Sequence, residues 1–171
     1  LSLPPTRSPA ELPPTSDRTP TPTPAASGAT PSRPAFPPAS ATQALVVEVI
    51  DGDTVRVSFE GSLHTVRYIG IDAPEREDPL GPAATAANRA LVGGEIVYLE
   101  TDTSETDEFG RLLRYVYLPD GTFVNGEMVR RGLAEARAYA PDVGRQGVLD
   151  ALEEEARQAG RGVWELTATP R

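Results

Sequence analysis

Two stretches of this chain, VIDGDTVRV at residues 49–57 and VRYIGIDAPE at residues 66–75, decide how the 171-residue sequence is interpreted. Each contains a run of β-branched and aromatic residues typical of a strand, with acidic residues at one end. These acidic residues are Asp53, Asp72 and Glu75. Carboxylates are hard oxygen ligands that suit Ca²⁺, and Arg67 inside the second run is a permanent cation suited to phosphate. A metal site beside a phosphate-binding arginine indicates phosphodiester cleavage.

The segments around these stretches predict five short strands and three helices. Apolar residues alternate with polar ones, and Asp51-Gly52 and Glu60-Gly61 are typical of tight turns between strands. The predicted strands are 45–50, 55–59, 63–71, 96–99 and 112–118. Proline near a helix start and glycine just past its end predict helices. The predicted helices are 83–91, 126–131 with Asn125 as its cap, and about 145–159.

This order of elements predicts an α+β, mainly β fold. Five strands with a helix between the third and the fourth match the five-stranded OB-fold barrel, here with about three helices. We expect this domain to occupy residues 45–166, followed by a short C-terminal tail at 167–171. OB barrels often bind oligonucleotides on one face, but that likeness of fold is only an analogy for function.

The segment before the domain has a different composition. Residues 1–44 contain 12 of the 18 prolines, many Ser, Thr and Ala residues and few large apolar ones. Such a segment cannot bury enough surface to offset chain entropy, so we expect a disordered linker or stalk. A stalk ahead of a small domain favours an exported protein, secreted, periplasmic or in the cell envelope, although the sequence contains no visible signal peptide. A linker in a cytoplasmic fusion protein is the alternative.

Composition excludes several kinds of site. The chain has no cysteine and one histidine, His64, which excludes disulfides, thiol chemistry and a histidine-rich metal centre. No apolar run approaches the roughly 20 residues of a membrane span. Residues 45–171 hold 13 arginines, no lysine and 23 acidic residues, a net charge of −10. Long-range attraction of nucleic acid is therefore not expected, and binding has to depend on a local arginine pocket and a divalent cation.

Further motifs connect the chain with a known family. TDEFGR, VN, VRRGLA and GVW follow the two opening stretches in this order. They occupy residues 106–111, 124–125, 129–134 and 162–164. With these segments, residues 45–165 resemble the thermonuclease family, that is, proteins with a staphylococcal (micrococcal) nuclease-like domain. The resemblance implies Ca²⁺-dependent hydrolysis of phosphodiester bonds in DNA and RNA, leaving 3′-phosphate ends.

The resemblance also implies a metal site. By position in the motifs, Asp53 and Asp72 match the two carboxylate ligands of the Ca²⁺. Ala73 matches the residue that supplies a main-chain oxygen to the ion. Asp51 matches an acidic residue that lies near the metal without binding it. Asp53, Asp72 and Ala73 are therefore the expected calcium ligands, with Asp51 beside them.

The catalytic groups implied by the resemblance come from three separate segments. Arg67 and Arg111 match the two catalytic arginines, and Glu75 matches the glutamate usually given the general-base role. Two guanidinium groups can bind one phosphate and stabilise the charge that develops on it in the transition state. We therefore expect Arg67, Arg111 and Glu75 to be catalytic.

Substrate contacts are expected to differ in part from those of the family. Tyr139 matches a tyrosine that stacks on the substrate, but Arg137 stands near where another is expected. Glu108 and Phe109 occupy the positions of a lysine and a tyrosine, and Phe109 is retained as a candidate substrate-binding residue. The expected partners are single- and double-stranded DNA and RNA, and we expect the protein to be a monomer.

Two other functions stay open at this point. The domain could be a non-catalytic OB-fold module that binds nucleic acid or another anion without cleaving it. It could also be a structural Ca²⁺ domain carried on a stalk, which predicts a Ca²⁺-dependent rise in melting temperature without affinity for nucleic acid. The complete set of three acidic residues and two arginines favours the nuclease.

Overall fold

The first three strands follow one another as an antiparallel meander in the computed structural model, which describes residues 36–167. They are β1 (Thr42–Val49), β2 (Thr54–Phe59) and β3 (Ser62–Tyr68). Val55 and Val57 are completely buried, whereas Arg56 between them is exposed. This alternation is the period of two that the sequence predicts for a strand with one face on the core.

Two further strands, β5 (Ile96–Glu100) and β6 (Leu112–Tyr117), close the sheet into a barrel with the order β1-β2-β3-β6-β5. β5 pairs antiparallel with both β1 and β6, and β6 pairs in parallel with β3. The predicted five-stranded OB-like barrel is thereby confirmed. In the parallel pair, Arg67 lies beside Leu113, so the beginning of β6 is adjacent to the end of β3.

Three helices cover the barrel, as predicted. α1 (Gly81–Val92) begins with proline in its first turn and lies between β3 and β5 in the sequence. α2 (Val124–Arg130) and α3 (Gln146–Gln158) follow the last barrel strand, and a 3₁₀ helix at Gly162–Thr167 comes after them. No helix in the part of the chain from 36 to 167 is both long and apolar enough to cross a bilayer.

A second, two-stranded sheet was not predicted. β4 (Ile71–Asp72) pairs antiparallel with β7 (Glu135–Ala136), so the prediction of one continuous strand over 63–71 is wrong. The chain turns at Gly70, whose φ of 77° is a left-handed conformation that favours glycine. A side chain at this position would also meet Leu149 Cδ1 at 2.5 Å. The turn places Asp72 beside Glu135, with which it pairs, while its side chain still reaches Arg67 on β3.

The connection between β1 and β2 is longer than the predicted two-residue turn. The N–H groups of Ile50 and Asp51 both donate to the carbonyl of Thr54, at 3.0 and 3.2 Å. The Asp51 carboxylate then accepts the N–H of Asp53 at 3.1 Å. Gly52 is required here for space, because a Cβ atom would meet the Cβ atoms of Ala73 and Ala84 at 2.7 and 2.9 Å. The loop is therefore packed tightly against β4 and α1.

Asn125 does not cap α2, which corrects the prediction from the sequence. The helix begins two residues earlier than predicted, with Phe123 at the cap position, and Asn125 is buried in the first turn. Its side chain donates to the carbonyl of Ile69 at 2.8 Å and accepts the N–H of Val116 at 2.9 Å. These buried backbone groups need partners, and satisfying them outweighs local capping of the helix.

The predicted stalk lies mainly outside the described residues. Residues 1–35 and 168–171 are not described, so the prediction of disorder for the N-terminal segment and most of the predicted C-terminal tail are not addressed. Within the described part, β1 begins at Thr42, three residues before the domain boundary expected at 45. Phe36 packs edge-on against the rings of Tyr98 and Tyr117, with ring centroids 5.5 and 6.0 Å apart.

Candidate active site

Asp53, Arg67 and Asp72 come together where β2, β3 and β4 meet. The guanidinium of Arg67 contacts Asp53 Oδ2 through Nη1 and lies 3.1 Å from Asp72 Oδ1 through Nη2. The N–H of Ala73 donates to Asp53 Oδ2 at 2.7 Å. Arg67, a predicted catalytic arginine, thus contacts two predicted metal ligands, Asp53 and Asp72. The backbone N–H of Ala73, the third predicted ligand, also contacts Asp53.

The buried surroundings of Asp53 disfavour the negative charge of its carboxylate. Only 5% of the residue is exposed, and Thr54 Oγ1 donates to its Oδ1 at 3.0 Å. Burial raises the pKa of the Asp53 carboxyl to about 6, although the charge of Arg67 and the N–H of Ala73 act in the opposite direction. One guanidinium therefore does not compensate fully for burying this carboxylate, and additional positive charge beside it would be stabilising.

A buried hydrogen-bond network fixes the loop that carries Asp53. Asn88 on α1 is completely buried, and its Nδ2 donates to the carbonyl of Asp51 at 2.9 Å. The Asn88 Oδ1 accepts the hydroxyl of Tyr68, a buried residue on β3, at 2.9 Å. Burial also raises the pKa of the Tyr68 hydroxyl, so this group remains a donor. The network ties α1, β3 and the Asp51–Asp53 loop together.

Arg111 and the predicted substrate-binding residues line a cleft on one side of Arg67. The cleft has a volume of about 390 Å³ and is lined by Arg67, Arg111, Phe109 and Tyr139, among other residues. Phe109 and Tyr139 are 74% and 50% exposed, so both rings are open to a ligand. We call this space the arginine cleft. Because Arg111 is two residues before Leu113, the neighbour of Arg67, both arginines lie on the same side of the sheet.

Asp107 fixes the position of Arg111. Its Oδ2 accepts the Arg111 Nε at 2.6 Å, and its Oδ1 accepts the backbone N–H groups of Arg111 and Phe109 at 2.9 and 3.0 Å. Burial acts to raise the pKa of Asp107, but these hydrogen bonds and the charge of Arg111 outweigh it, and the pKa is lowered. The Arg111 guanidinium also lies over the Phe109 ring, 5.4 Å from its centroid. Asp107 thus leaves the terminal nitrogens of Arg111 available.

Glu75 lies in a second cleft, on the other side of Asp72. This cleft has a volume of about 370 Å³ and is lined by Asp72, Ala73, Glu75, Asp78 and Arg137, among other residues. Glu75 is exposed, and its backbone N–H donates to Asp78 Oδ2 at 2.9 Å. Its carboxylate has no ion pair within the described chain. We call this space the acidic cleft, which meets the arginine cleft at the Asp72–Arg67 pair.

The donor set fits a hard divalent cation with a water-rich coordination shell. Asp53 and Asp72 converge closely enough to share one cationic group, and the buried Asp53 carboxylate is under-compensated. No group of three or more His, Cys, Asp or Glu side chains is assembled as a metal site within residues 36–167. Main-chain oxygen and water would therefore have to complete the six to eight ligands that Ca²⁺ takes.

The segment after β7 is fixed to the barrel by three acidic residues. Asp142 is buried, and its Oδ1 accepts the N–H groups of Thr103 and Ser104 at 2.9 and 2.7 Å. Asp102 Oδ2 accepts the N–H of Gly144 at 2.8 Å, and Glu100 pairs with Arg145 at the same distance. These contacts hold the chain around Tyr139 against the arginine cleft.

Sequence reasoning did not assign a role to several of these residues. Asn88 could have been found from its spacing, because Ala84, Asn88 and Val92 are four residues apart and form the buried stripe of α1. Asp107 lies four residues before Arg111, but nothing in the sequence indicates whether it binds the side chain, the backbone or both. Arg137 was noticed only as a departure from the family.

Comparison with known proteins identifies the family. A family model described as staphylococcal nuclease homologue matches residues 65–166. An uncharacterized endonuclease of Escherichia coli is 40% identical over 120 residues, which cover 70% of this chain and 74% of that protein. The thermonuclease of Staphylococcus intermedius is 35% identical over 71% of this chain and 75% of its own. For the thermonuclease of Staphylococcus hyicus the identity is 33%, over 70% and 73%. The chain therefore belongs to the staphylococcal nuclease family.

Proposed function

We propose that the protein is a Ca²⁺-dependent nuclease that hydrolyses phosphodiester bonds in DNA and RNA and leaves 3′-phosphate ends. The observation that carries the proposal is the meeting of Asp53, Arg67 and Asp72 at the boundary of two clefts. One cleft contains the second arginine, Arg111, and the other contains Glu75. Family membership and the endonucleases and thermonucleases among the relatives support the same reaction.

In this proposal Arg67 and Arg111 bind the phosphate whose ester bond is cleaved. Arg67 is 14% exposed at its side chain, and Arg111 is 33% exposed, so both guanidiniums are partly withdrawn from water. Hydrogen bonds from charged, partly desolvated donors are stronger than those made in water. As negative charge develops on the non-bridging oxygens and the departing 5′ oxygen, these donors stabilise the transition state more than the substrate.

The proposed metal site consists of Asp53, Asp72 and the main-chain oxygen of Ala73, with Asp51 nearby. When bound, Ca²⁺ would supply Lewis-acid polarisation of a phosphate oxygen and help to orient the substrate. The contact between Arg67 and Asp53 supports a coupled arrangement, because a bound cation would take over the compensation of that carboxylate. Arg67 would then be released to donate to the phosphate.

Glu75 is proposed as the general base. A carboxylate in this role has to reach the attacking water directly or through one further water molecule. Glu75 is exposed in the acidic cleft next to Asp72 and Ala73, and it has no ion pair in the described chain that would hold it away from a water molecule. The proton it accepts would pass to solvent through the open side of the cleft, and the departing 5′ oxygen would take up a proton from solvent.

Phe109 and Tyr139 are proposed to stack on bases of the substrate. Stacking on an aromatic ring does not depend on the identity of the base and contributes about 1–3 kcal/mol per base. Two exposed rings in the cleft that holds both arginines therefore support binding of single-stranded segments with little sequence preference. Frayed ends or open regions of double-stranded DNA would be bound in the same way.

We propose that the protein acts as a monomer and is exported.

The decisive experiment is a digestion series. Purified protein is incubated with single-stranded DNA, double-stranded DNA and RNA in Ca²⁺, in Mg²⁺ and in EDTA, and the product ends are identified by their susceptibility to a 3′-phosphatase. We expect cleavage in Ca²⁺, none in EDTA, and recovery when Ca²⁺ is restored in excess. Intact DNA and RNA after prolonged incubation with Ca²⁺ would contradict the proposal.

Paired variants test the assignment of the general base. Glu75→Gln keeps the size of the side chain and removes the charge, and we expect a fall in kcat of at least about 100-fold. Glu77→Gln is the matched control, because Glu77 is exposed in the same loop and does not line the acidic cleft. Equal activity of the two variants would exclude Glu75 as the base.

The non-catalytic alternative rests on two specific observations. Within residues 36–167 no group of three metal-binding side chains is assembled, and the two carboxylates already have a counter-charge in Arg67. In that case the arginine cleft would bind nucleic acid or another anion and leave it uncut. A gel assay separates the two functions, because a retarded but intact oligonucleotide in Ca²⁺ favours the binding module.

A further inference from the structure

Arg137 occupies a position for which the proposed function gives no role. It follows β7 directly, and its backbone N–H donates to the carbonyl of Gly70 at 2.8 Å, which extends the pairing of β4 with β7 by one residue. Its backbone is therefore fixed beside the turn that leads from β3 to Asp72. The side chain lines the acidic cleft rather than the arginine cleft.

The guanidinium of Arg137 is only loosely held. Its Nε lies 3.6 Å from Asp72 Oδ2 and its Nη2 lies 3.7 Å from Glu135 Oε2, both longer than a hydrogen bond. The side chain is 51% exposed, against 14% for Arg67 and 33% for Arg111. Its side chain makes no hydrogen bond to another group among residues 36–167. All five donors of this guanidinium therefore remain available to a ligand.

Arg137 is also the only cationic side chain among the described residues that line the acidic cleft. The other charged residues there are acidic: Asp72, Glu75, Asp78 and Glu135. A phosphate that enters this cleft would be repelled by these carboxylates unless a guanidinium received it. The net charge of −9 gives no help over longer distances.

Asp72 lies between Arg137 and Arg67, which belongs to the proposed phosphate site. One carboxylate oxygen of Asp72 faces Arg67 and the other faces Arg137, so the two guanidiniums lie on opposite sides of a single carboxylate group. Both guanidiniums lie within 4 Å of this one carboxylate, so the two phosphate-binding groups are immediate neighbours. A strand whose phosphate binds to Arg67 and Arg111 can therefore present its neighbouring phosphate to Arg137.

We propose that Arg137 binds the phosphate next to the one that is cleaved, so that the site prefers chains with two or more consecutive phosphates. This proposal rests on the proposed nuclease function and extends it to a second phosphate subsite. Arg137 is a specificity-determining residue in this view, because it contacts the substrate away from the reacting atoms. A lone phosphodiester occupies only the Arg67–Arg111 subsite and gains nothing from Arg137.

The test compares Arg137→Ala with Arg130→Ala. Arg130 is a matched control, since its side chain is 48% exposed, it pairs with Glu127 on α2, and it lines neither cleft. Both variants lose one positive charge. The substrates are a dinucleoside monophosphate, which has one phosphate, and an eight-nucleotide oligothymidylate. Cleavage of both is followed in Ca²⁺, and binding of the labelled oligothymidylate is followed by fluorescence anisotropy in EDTA.

We expect Arg137→Ala to lower kcat/KM for the oligothymidylate about tenfold, mainly through KM, and to change that for the single phosphodiester less than twofold. The slope of log binding constant against log salt should become less negative by about 0.7, the value for one phosphate contact on a single strand. Arg130→Ala should leave both quantities unchanged. Arg137→Lys should recover part of the affinity, because it restores the charge without the planar fork.

Equal losses on the two substrates, or no loss on either, would overturn the proposal. If the wild-type protein cleaves neither substrate, the proposed nuclease function fails, and the anisotropy measurement then decides the role of Arg137 by itself. In that case an unchanged affinity and salt slope in Arg137→Ala would overturn it, and a weaker affinity with a reduced slope would support it.

Discussion

A single side chain in this site, that of Asp53, has to meet two requirements that oppose each other. Asp53 has to be buried to stand beside Arg67 and Asp72, and burial makes its charge unfavourable. The folded protein therefore keeps a carboxylate whose proton is bound more tightly than in the unfolded chain. Such a residue costs stability at neutral pH, which is understandable if its purpose is to bind a cation.

This cost can be measured with Asp53→Asn in EDTA. The pKa of Asp53 is raised from 3.8 to about 6, so between these values the folded protein holds a proton that the unfolded chain has lost. The free energy of unfolding of the wild-type protein consequently falls as the pH rises from about 4 to 6. The variant has no such group, and we expect it to be more stable than wild type by about 2–3 kcal/mol above pH 7.

Chemical denaturation at several pH values tests this expectation, because the other carboxylates titrate similarly in both proteins and cancel in the difference. The difference should grow between pH 4 and 6 and then remain constant. Asp72→Asn is the control, since the Asp72 side chain is 36% exposed and shares the same arginine. It should give no gain in stability. A variant of Asp53 that is less stable than wild type at pH 8 would contradict this account.

At the residue scale, the sequence predicts the site groups that lie in ordered motifs and misses those that depend on contact. Asp53 and Arg67 lie near the ends of two strands that pair with each other, so their proximity follows from the predicted meander, whereas Asp72 reaches them through the turn at Gly70, which was not predicted. The contact of Arg137 with Asp72 arises only when β4 and β7 pair, because this brings together residues separated by 65 positions. No local pattern contains that information.

The loop between β1 and β2 is the element on which the position of Asp53 depends. It is enclosed on one side by β4 and on the other by α1, which explains why Gly52 has no room for a side chain. The hydrogen bond from Asn88 on α1 to the carbonyl of Asp51 also fixes this loop. Displacing this loop would therefore affect stability and the proposed cation binding together.

Gly52→Ala tests the packing of the loop. The new Cβ would lie 2.7 and 2.9 Å from the Cβ atoms of Ala73 and Ala84, so the loop or α1 has to move. We expect a loss of about 1–3 kcal/mol in the free energy of unfolding and weaker Ca²⁺ binding, measured by denaturation and by isothermal titration calorimetry. Gly147→Ala in α3 is the control. Nothing lies within 4 Å of its Cβ position, and it should be neutral or stabilising.

The buried network on α1 gives a second test at this scale. Asn88→Ala leaves the carbonyl of Asp51 and the hydroxyl of Tyr68 without their partner, and we expect a loss of about 2–3 kcal/mol. Tyr68→Phe removes one hydroxyl and should cost about 1 kcal/mol. Thr85→Ala, in a half-buried position of the same helix, serves as the control and should cost clearly less. A double-mutant cycle in which the effects of Asn88 and Tyr68 are additive would show that the two groups are not coupled.

Elements are predictable from this sequence where local preference and tertiary packing agree. The alternation in β2 and the proline at the start of α1 each indicate the structure that forms. Prediction fails at Asn125, whose preference for capping is overridden by two buried backbone groups, and at Gly70, which divides an apparently continuous strand. Both differences arise from contacts made by residues distant in the sequence.

On the scale of the whole molecule, the acidic surface confines attraction for nucleic acid to the proposed binding site. The chain carries 16 arginines and 25 acidic residues, and many of the described arginines are paired with carboxylates on the surface. Exposed pairs of this kind contribute little to stability, but they neutralise charge that would otherwise attract a polyanion. Attraction at a distance is therefore absent, and affinity depends on the few guanidiniums that face the clefts.

This arrangement predicts a shallow dependence of binding on salt. Three guanidiniums, those of Arg67, Arg111 and Arg137, line the two clefts. With about 0.7 for each phosphate contact on a single strand, the slope of log binding constant against log salt should be close to −2. The measurement is a titration of labelled oligothymidylate by anisotropy from low to physiological salt, with the Glu75→Gln variant in Ca²⁺ so that Arg67 is available and the strand is not rapidly cleaved. A slope of −5 or steeper would mean that many more arginines contact the strand. The binding surface would then extend beyond the two clefts, and the arginines paired on the surface would have to exchange their carboxylates for phosphates.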